Sequence, residues 1–517
     1  MRVAQWAALA LTSCGTSSPP ETAATTTHEG GTVDAELDAR GGSSVADRSV
    51  RDSIGGGVVV DADAGVGLRG TYFRRHGALT LERVDPTVDF AWGNGGPATD
   101  VGVDHFSARW EGALDVPAAG DYTFVVRADD GVRLWIGDVR IIDQWAFHDL
   151  SRYEATVTLA QGQVALRLEY FEKDLVSEVH LAWSSAGLAE TIIPEVRLHP
   201  APAGSGAASP KPPYQNPVVP TSCPDPGVLA IAGSAPDYYM VCTGGAFPIR
   251  RSAELVFWDD SGSRVFPAGR PPWALNATRD WAPEIHQVGS RYVTYYTALD
   301  ANSRLSIGAA SATAPLGPYT DVGAPLVQDP LGVIDATYFA DDDGRHYLFY
   351  KIDGNSQAQP TPIFARELAP DGLSFAVGST PAQVLVNDPT TWEGGVVEGP
   401  WIVKRQLMYF IFYAGNVFDS RYRTGVARSS SIYGPYEKHG APILANNERW
   451  VGPGHGSIVP LGASDYFVYH AWTATPMGTN DTTMGRQVLL DRIVWQGGWP
   501  SIGDGTPSRD LEPWPSE

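Results

Sequence analysis

Three acidic residues interrupt apolar stretches in the C-terminal part of the chain, where an unpaired charge is costly to bury. Asp225 lies in SCPDPGVLAI, Asp335 in GVIDATYF and Glu398 in GGVVEGPWIV. Two carboxyl groups across a sugar-sized gap can hydrolyse a glycosidic bond, because an ionised one activates water and a protonated one assists the departing oxygen. A third acid can raise the pKa of the proton donor by like-charge repulsion. Taken singly, these residues also fit a turn or a hydrogen-bonded strand position, so the chemistry depends on their convergence.

An internal repeat indicates how these acids converge. GAASATAPLGPYTDVGAPL (308–326) matches GVARSSSIYGPYEKHGAPI (425–443) at a constant offset of 117 residues. Weaker copies divide the region 214–517 into five units of about 60 residues, at 249–262, 363–375 and 488–500. Each unit has short strands separated by turns, and four-stranded units repeated radially form a propeller. Because the inner strand of each blade borders the axis, acids on different blades are expected to face one central funnel.

Composition favours an all-β protein with more than one domain. The chain has 517 residues, which is enough for two or three domains, and its 56 Gly and 40 Pro indicate many short elements joined by turns. The formal net charge of −22 argues against nucleic acid as a partner, because a polyanion would be repelled. No uninterrupted apolar run reaches the roughly 18 to 20 residues of a membrane-spanning helix.

The N-terminus predicts export. Arg2 precedes a short apolar stretch, and residues 1–14 are typical of a signal peptide. Leu11, Thr12, Ser13 and Cys14 resemble a bacterial lipobox, which implies a lipid anchor on Cys14; an ordinary signal cleaved nearby is the alternative. Residues 15–65 lack aromatic side chains and are rich in Gly, Ser, Thr, Ala and Asp, which predicts a disordered linker.

Residues 66–199 predict a β-sandwich. Alternating apolar and polar residues recur in short segments, and Gly137-Asp138 lies in the middle of VRLWIGDVRIID as a hairpin turn. The Pro- and Ala-rich segment 200–213 then predicts a second linker before the propeller. Cys223 and Cys242 are 19 residues apart on successive predicted strands. In an oxidising compartment they are expected either to form a disulfide or to stay as buried thiols.

The sandwich region resembles the protective-antigen type domain, which often accompanies carbohydrate-active proteins. The resemblance rests on three segments: GLRGTYF (67–73), FSARWEGALDVPAAGDYTF (106–124) and RADDGVRLWIGDVRIIDQW (127–145). In sugar-binding members a paired Asp-Asp helps to hold Ca²⁺, which implies Asp129 and Asp130 as metal ligands here. Two adjacent carboxylates suit a hard cation, but they also suit a plain D-D-G turn.

The propeller region resembles glycoside hydrolase family 43, a family of five-bladed propellers. The matching motifs occur in order as PDPGV, RDWAPEIH, GVIDATYF, VVEGPW, GPGHGSI and GRQVLLDRIVWQGGWP. The resemblance implies an inverting mechanism with Asp225 as general base, Glu398 as general acid and Asp335 as the residue that orients the acid and tunes its pKa. It further implies that His455 lies near a central Ca²⁺ or other cation, and that Arg486 contacts a bound pentose.

The expected substrate is arabinose-containing plant polysaccharide, cleaved by an α-L-arabinofuranosidase or endo-arabinanase activity. A β-D-xylosidase using the same three acids is the first alternative, and a non-catalytic, carbohydrate-binding surface lipoprotein is the second. Trp281 fits either stacking on a sugar face or packing between blades. The protein is expected to be a monomer, exported to the cell surface or secreted.

Overall fold

The computed structural model describes residues 59–61, 65–77, 79–204, 208–231, 237–274 and 279–515. The predicted signal peptide, its Cys14 and residues 15–58 of the predicted linker lie outside these ranges. The described part of the chain is all-β apart from short 3-10 turns such as Glu195–Arg197 and Gly354–Gln357. It has no helix long and apolar enough to cross a bilayer.

The N-terminal region forms two packed antiparallel sheets. The first contains, in spatial order, β2 (Leu79–Asp85), β1 (Leu68–Arg74), β4 (Phe106–Val116), β9 (Gly162–Glu172), β6 (Val132–Ile136) and β7 (Val139–Gln144), with β12 (Leu198–Pro200) beside β4. The second contains β11 (Leu188–Ile192), β10 (Ser177–Ser185), β5 (Gly120–Asp129) and β8 (Ser151–Leu159), with β3 (Asp89–Gly93) beside β10. Alternating inward residues, among them Tyr72, Trp110 and Phe124, fill the core between them.

The sandwich contains the predicted hairpin turn but extends beyond its predicted bounds. Gly137-Asp138 forms the two-residue turn between β6 and β7, as the pattern predicted. Asp61, within the predicted linker, donates its backbone N–H to the Pro200 carbonyl at 2.8 Å, and its carboxylate lies 2.9 Å from Arg69. The sandwich therefore includes residues on both sides of the predicted 66–199 range, because Pro200 is the last residue of β12.

The C-terminal region is a propeller with five four-stranded blades, as the repeat predicted. The first blade contains β13 (Gly227–Ile231), β14 (Asp237–Val241), β15 (Pro248–Ser252) and β16 (Asp259–Arg264), and the second contains β17 (Trp281–Val288), β18 (Arg291–Leu299), β19 (Leu305–Ala312) and β20 (Thr320–Asp321). The third contains β21 (Val333–Ala340), β22 (His346–Ile352), β23 (Ile363–Leu368) and β24 (Ala382–Leu385), and the fourth contains β25 (Val397–Arg405), β26 (Met408–Gly415), β27 (Arg423–Ser429) and β28 (Glu437–Lys438). The fifth contains β29 (Trp450–Leu461), β30 (Ser464–Thr473), β31 (Gln487–Gln496) and β32 (Trp499–Ile502). The first strand of each blade is innermost, and it contacts the first strands of its neighbours around a closed ring.

The ring closes between the first and fifth blades. The Cys223 backbone N–H donates to the Arg486 carbonyl at 2.8 Å, so the segment carrying Asp225 lies directly against the start of β31. Cys223 is joined to Cys242, which follows β14, in a disulfide whose Cα atoms are 5.2 Å apart. Closure therefore brings together residues that are 261 positions apart in the sequence, Asp225 and Arg486.

The sandwich packs on the first blade at the end away from the acids. His76, in the β1–β2 turn, contacts the rings of Phe257 and Trp514 at centroid distances of 6.1 and 5.7 Å. The Lys211 ammonium donates to the His76 carbonyl across the same contact. Phe257 lies in the β15–β16 loop, whereas Asp225 precedes β13 at the opposite end of the blade. The sandwich therefore does not line the funnel mouth.

Candidate active site

A repeated backbone irregularity marks the funnel end of every inner strand. Each blade has a residue with a positive φ here, namely Asp225 (55°), Ala282 (39°), Asp335 (57°), Gly399 (56°) and His455 (45°), and the fifth blade has a second at Gly452 (66°). In the second to fifth blades, pairing with the next strand shifts register at this point. Bulges of this kind re-aim side chains, and left-handed non-glycine residues concentrate at functional sites. The irregularity directs side chains from separate blades toward one place.

The three sequence-predicted acids come together around His455. The His455 Nδ1 atom lies 3.4 Å from Asp225 Oδ1 and 4.0 Å from Asp335 Oδ2. Glu398 adjoins Gly399, whose backbone N–H donates to Asp335 Oδ2 at 3.0 Å. A Cβ at position 399 would lie 2.7 Å from the His455 ring, so glycine is needed for this approach. All three carboxyl groups are buried, although they come from the first, third and fourth blades.

Asp225 is held in its ionised form. Arg486 Nη1 donates to Oδ1 at 2.7 Å, and the Thr243 hydroxyl donates to Oδ2 at 2.6 Å. The Asp225 backbone N–H donates to His470 Nδ1 at 3.1 Å, which places the proton of that imidazole on Nε2. Burial alone would raise the pKa of Asp225, but Arg486, His455 and the Thr243 hydrogen bond outweigh it and hold the pKa well below its usual range. Asp225 is thus an oriented proton acceptor.

Glu398 has a hydrogen-bond donor on each carboxylate oxygen. Lys351 Nζ lies 2.8 Å from Oε2, and the Tyr422 hydroxyl donates to Oε1 at 2.7 Å. Lys351 also lies 2.8 Å from Asp353 Oδ1, and its side chain is completely buried. Burial alone would raise the pKa of Glu398, but the Lys351 ammonium and the two hydrogen bonds lower it below the ordinary value.

Asp335, and not Glu398, is the acid with the raised pKa. Burial raises the pKa of Asp335 to about 7, with His455 opposing the shift and the Glu398 charge adding to it. The expectation from sequence was that like-charge repulsion would raise the pKa of Glu398. The difference arises because the Lys351 ammonium lies 2.8 Å from Glu398, whereas the His455 Nδ1 atom is 4.0 Å from Asp335 and does not outweigh its burial. The two neighbouring acids together retain a proton near neutral pH.

The predicted sugar-contacting residues lie at the same end of the ring. Arg486 joins Asp225 as described above, and its Cζ atom lies 5.0 Å from the Phe418 ring, which is 56% exposed. Trp281 begins β17, is half-buried and has the Arg279 guanidinium carbon 4.6 Å from its ring. The arrangement leaves both stacking on a sugar and packing open for Trp281.

The sequence did not predict four residues that hydrogen-bond to Asp225 or Glu398. Thr243 follows β14, Lys351 lies in β22 and His470 lies in β30, all second strands of their blades, while Tyr422 precedes β27. The Tyr422 ring stacks on His470 at 5.7 Å and so links the environments of Asp225 and Glu398. A lysine near the end of the apolar strand HYLFYKI was the one available signal, since an unpaired lysine is rarely buried.

The His455 side chain does not fit a direct ligand of the predicted axial Ca²⁺ ion. Ca²⁺ takes six to eight oxygen ligands, whereas His455 offers nitrogen and has carboxylates beside Nδ1. Burial lowers the pKa of His455, but Asp225, Asp335 and Glu398 outweigh it and raise the pKa, which favours the imidazolium. Within the described ranges, these residues form no group of three ligand atoms mutually within 4.8 Å. The axial cation stays a prediction, and no chemical step is assigned to it.

The sandwich contains a better set of oxygen donors. Asp129, Asp130 and Glu172 have ligand atoms that all lie within 4.8 Å of one another. Burial and mutual repulsion raise the pKa of Asp129 to about 6, and burial raises that of Glu172 to about 9. Glu172 is fully buried, and its Oε1 atom has no hydrogen-bond partner in the described part of the chain. The set fits a hard cation, and Glu172 was not predicted from sequence.

The fold and the site define a class: a five-bladed propeller with three buried carboxyl groups that meet at one end of the ring. Residues 214–500 match the model of glycosyl hydrolases family 43, and residues 65–197 match the PA14 domain. The chain therefore belongs to glycosyl hydrolases family 43, and it is a glycosidase with a PA14 domain before the propeller.

Three relatives and one solved structure are similar to parts of this chain. Beta-D-galactofuranosidase xynD of Aspergillus niger is 30% identical over 47% of this chain and 70% of its own length. Extracellular exo-alpha-(1->5)-L-arabinofuranosidase ArbA of Cellvibrio japonicus is 25% identical over 52% of this chain and 83% of its own. A 139-residue part of this chain is similar to part of Anti-sigma-I factor RsgI3 of Acetivibrio thermocellus, at 34% identity over 26% of this chain but only 22% of that protein. A crystal structure of a thermostable family-43 glycoside hydrolase superposes with a TM-score of 0.51, at 28% identity over 59% of this chain and 99% of that chain.

Proposed function

We propose that the protein is an inverting glycosidase that releases α-L-arabinofuranosyl residues from plant polysaccharide. The observation that carries the proposal is the convergence of three buried carboxyl groups from three blades beside His455, with Asp225 paired to Arg486 and Glu398 paired to Lys351. The furanoside is favoured because relatives matched over most of their own length include proteins named for furanosidase activities, on galactose and on arabinose.

In this mechanism Asp225 accepts a proton from a water molecule as that water attacks the anomeric carbon. Glu398 gives a proton to the departing oxygen from the other side of the sugar, and Asp335 orients this region through its bond to the Gly399 N–H. Inversion requires room for the water, with the two reacting carboxyl groups about 6.5 to 9.5 Å apart. Arg486 and the exposed ring of Phe418 form a sugar-binding edge beside the base, and Trp281 lies at the funnel end of the second blade.

The stereochemistry of the first product tests this function. The substrates are an aryl α-L-arabinofuranoside, an aryl β-D-xyloside and linear arabinan, and NMR follows the first-formed anomer. We expect fastest turnover of the arabinofuranoside and initial release of the β-anomer, because an inverting displacement reverses the configuration. Release of the α-anomer would contradict the mechanism. Faster turnover of the xyloside would assign the β-D-xylosidase activity instead.

We further propose that Asp129, Asp130 and Glu172 bind Ca²⁺ in the sandwich. When bound, the ion would supply positive charge for three carboxylates that otherwise repel one another, and open coordination positions for sugar hydroxyl groups. The raised pKa of Glu172 means that Ca²⁺ competes with a proton at this site, so binding should strengthen as pH rises toward 9.

Calcium should stabilise the protein against heat in a pH-dependent way. We expect millimolar Ca²⁺ to raise the melting temperature by roughly 5 °C at pH 8 and by less at pH 6, because a ligand that binds only the folded state stabilises it. Glu172→Gln should remove most of the shift. Glu154→Gln, at an exposed carboxylate on β8 of the same sandwich, is the matched control and should keep it. An unchanged shift in Glu172→Gln, measured by calorimetry, would exclude this site.

Export completes the proposal. ArbA is named as extracellular, which supports secretion of this glycosidase. Anchoring through Cys14 is a finer prediction that rests on the lipobox-like residues alone. The sandwich would bind the polysaccharide at a second place and so raise the effective concentration of the polysaccharide near the propeller. It would do so from the end of the first blade that lies opposite the acids.

A further inference from the structure

Lys351 is a fully buried cation in contact with a proposed catalytic acid. Its Nζ atom lies 2.8 Å from Glu398 Oε2 and 2.8 Å from Asp353 Oδ1, and its side chain has no exposed surface. A lysine is almost never fully buried unless it is paired, because its ammonium loses its hydration. A lysine in direct contact with an acid that must carry a proton is unusual, since a positive charge favours the carboxylate.

The position of Lys351 joins two blades at the site. It lies on β22 of the third blade, where it pairs with Ile334, the residue before Asp335. Its side chain reaches Glu398 on the inner strand of the fourth blade. Lys351 therefore contacts Glu398 through its ammonium and pairs through its backbone with the strand that carries Asp335.

Charged and titratable groups face Glu398 from every element packed against it. Lys351 and Asp353 face it from the third blade, together with Asp335 on the inner strand of that blade. Tyr422 comes from the β26–β27 loop and His455 from the fifth blade. Lys351 is the one of these groups that is both positively charged throughout the working pH range and bonded to the carboxylate.

The hydrogen-bond chemistry of an ammonium distinguishes the two oxygens of Glu398. An ammonium has three donors and no acceptor, so the oxygen that it contacts, Oε2, must accept and cannot carry the acidic proton toward it. The Tyr422 hydroxyl can either donate or accept by rotation, so Oε1 can be protonated without losing this partner. The ammonium at Oε2 therefore favours Oε1 as the site of the transferable proton.

We propose that Lys351 is the positioning residue of the proton donor: it holds Glu398 by Oε2, places the transferable proton on Oε1, and stabilises the carboxylate that remains. The proposal rests on the proposed function, in which Glu398 is the general acid. In the step, the Oε1 proton passes to the glycosidic oxygen, the bond from that oxygen to the anomeric carbon breaks, and an alcohol departs. Lys351 remains an ammonium throughout and gains a full negative charge as its partner.

Removing the ammonium should impair only those reactions that need a proton. The double variant Lys351→Met/Asp353→Asn removes the cation without leaving the Asp353 charge buried and unpaired. We expect kcat for an arabinofuranosyl disaccharide to fall about tenfold to a hundredfold through lost orientation. For a 2,4-dinitrophenyl arabinofuranoside, whose phenolate departs unprotonated, kcat should stay within about twofold. The alkaline limb of kcat/KM for the disaccharide should move to higher pH, because Glu398 loses the cation that lowers its pKa.

Single variants provide matched comparisons. Lys404→Met, on the same strand as Glu398, removes a lysine paired with Asp341 and Asp342 at the other end of β25, and it should leave both substrates and the pH profile unchanged. Asp353→Asn alone removes a negative charge beside the pair but keeps Lys351. It should therefore move the alkaline limb to lower pH, opposite to the double variant, which gives a second test if the double variant folds poorly.

Three results would overturn the inference. Equal losses on the disaccharide and the dinitrophenyl glycoside would make Lys351 a structural residue only. An alkaline limb that stays in place in the double variant, or that rises in Asp353→Asn, would show that the ammonium does not act on the proton donor. Full disaccharide activity in Glu398→Gln would instead overturn the proposed function itself, so the two failures are distinguishable.

Discussion

Asp225→Asn should abolish hydrolysis of every substrate, whatever its leaving group. Water must be activated whether or not the departing oxygen needs a proton, and an amide cannot accept the proton from that water. The carbonyl oxygen of Asn can still accept from Arg486, and the Thr243 hydroxyl can rotate to accept from the amide NH2 group, so the site should remain folded. We expect kcat/KM to fall by about a thousandfold or more on both the disaccharide and the dinitrophenyl glycoside.

The comparison for this variant is Asp237→Asn in the same blade. Asp237 begins β14, is paired with Arg251 on the surface and lies at the end of the blade away from the funnel. It should show wild-type kinetics on both substrates. Retention of dinitrophenyl glycoside hydrolysis by Asp225→Asn, with unchanged KM, would mean that another group activates the water, and Asp225 would lose the role of general base.

Glu398→Gln should separate the same two substrates. Hydrolysis of the disaccharide is expected to fall by about a thousandfold, because general acid assistance is lost, while the dinitrophenyl glycoside should lose less than about tenfold. Gln keeps the shape of Glu, its carbonyl can accept from Lys351, and Tyr422 can rotate to accept from its amide. The alkaline limb of the wild-type pH profile should also disappear from the residual disaccharide activity, because the group that must hold a proton is gone.

Glu393→Gln is a close structural match for this substitution. Glu393 is also buried in the fourth-blade region, with Lys438 Nζ 2.6 Å from Oε2 and the Tyr413 hydroxyl 2.7 Å from Oε1, but it does not belong to the funnel cluster. Its variant should lower the melting temperature and affect both substrates alike. If Glu398→Gln behaves in the same way, with no discrimination between leaving groups, the assignment of Glu398 as proton donor is wrong.

Local sequence determined the architecture of this protein. The 117-residue offset and the short apolar strands are properties of neighbouring residues, and they predicted five blades that the structure confirms. The motifs around Asp225, Asp335 and Glu398 pointed to the acids that the structure brings together, because an acid in an apolar strand stands out in the sequence. The Asp129-Asp130 pair likewise pointed to the sandwich cluster, although Glu172 was missed.

Only the tertiary structure decided how charge is distributed among the acids. A pKa depends on charges within a few ångströms, and those charges come from strands remote in sequence. Lys351 is 47 residues from Glu398, and Arg486 is 261 residues from Asp225, yet each pair is in hydrogen-bond contact. The positive φ angles that turn the inner-strand side chains into the funnel also come from packing around the ring, since no local pattern required them at Asp335 or His455. The repeat is a pattern of neighbouring residues and could be recognised in the sequence, whereas the charge on each carboxyl group depends on contacts that form only when the ring closes.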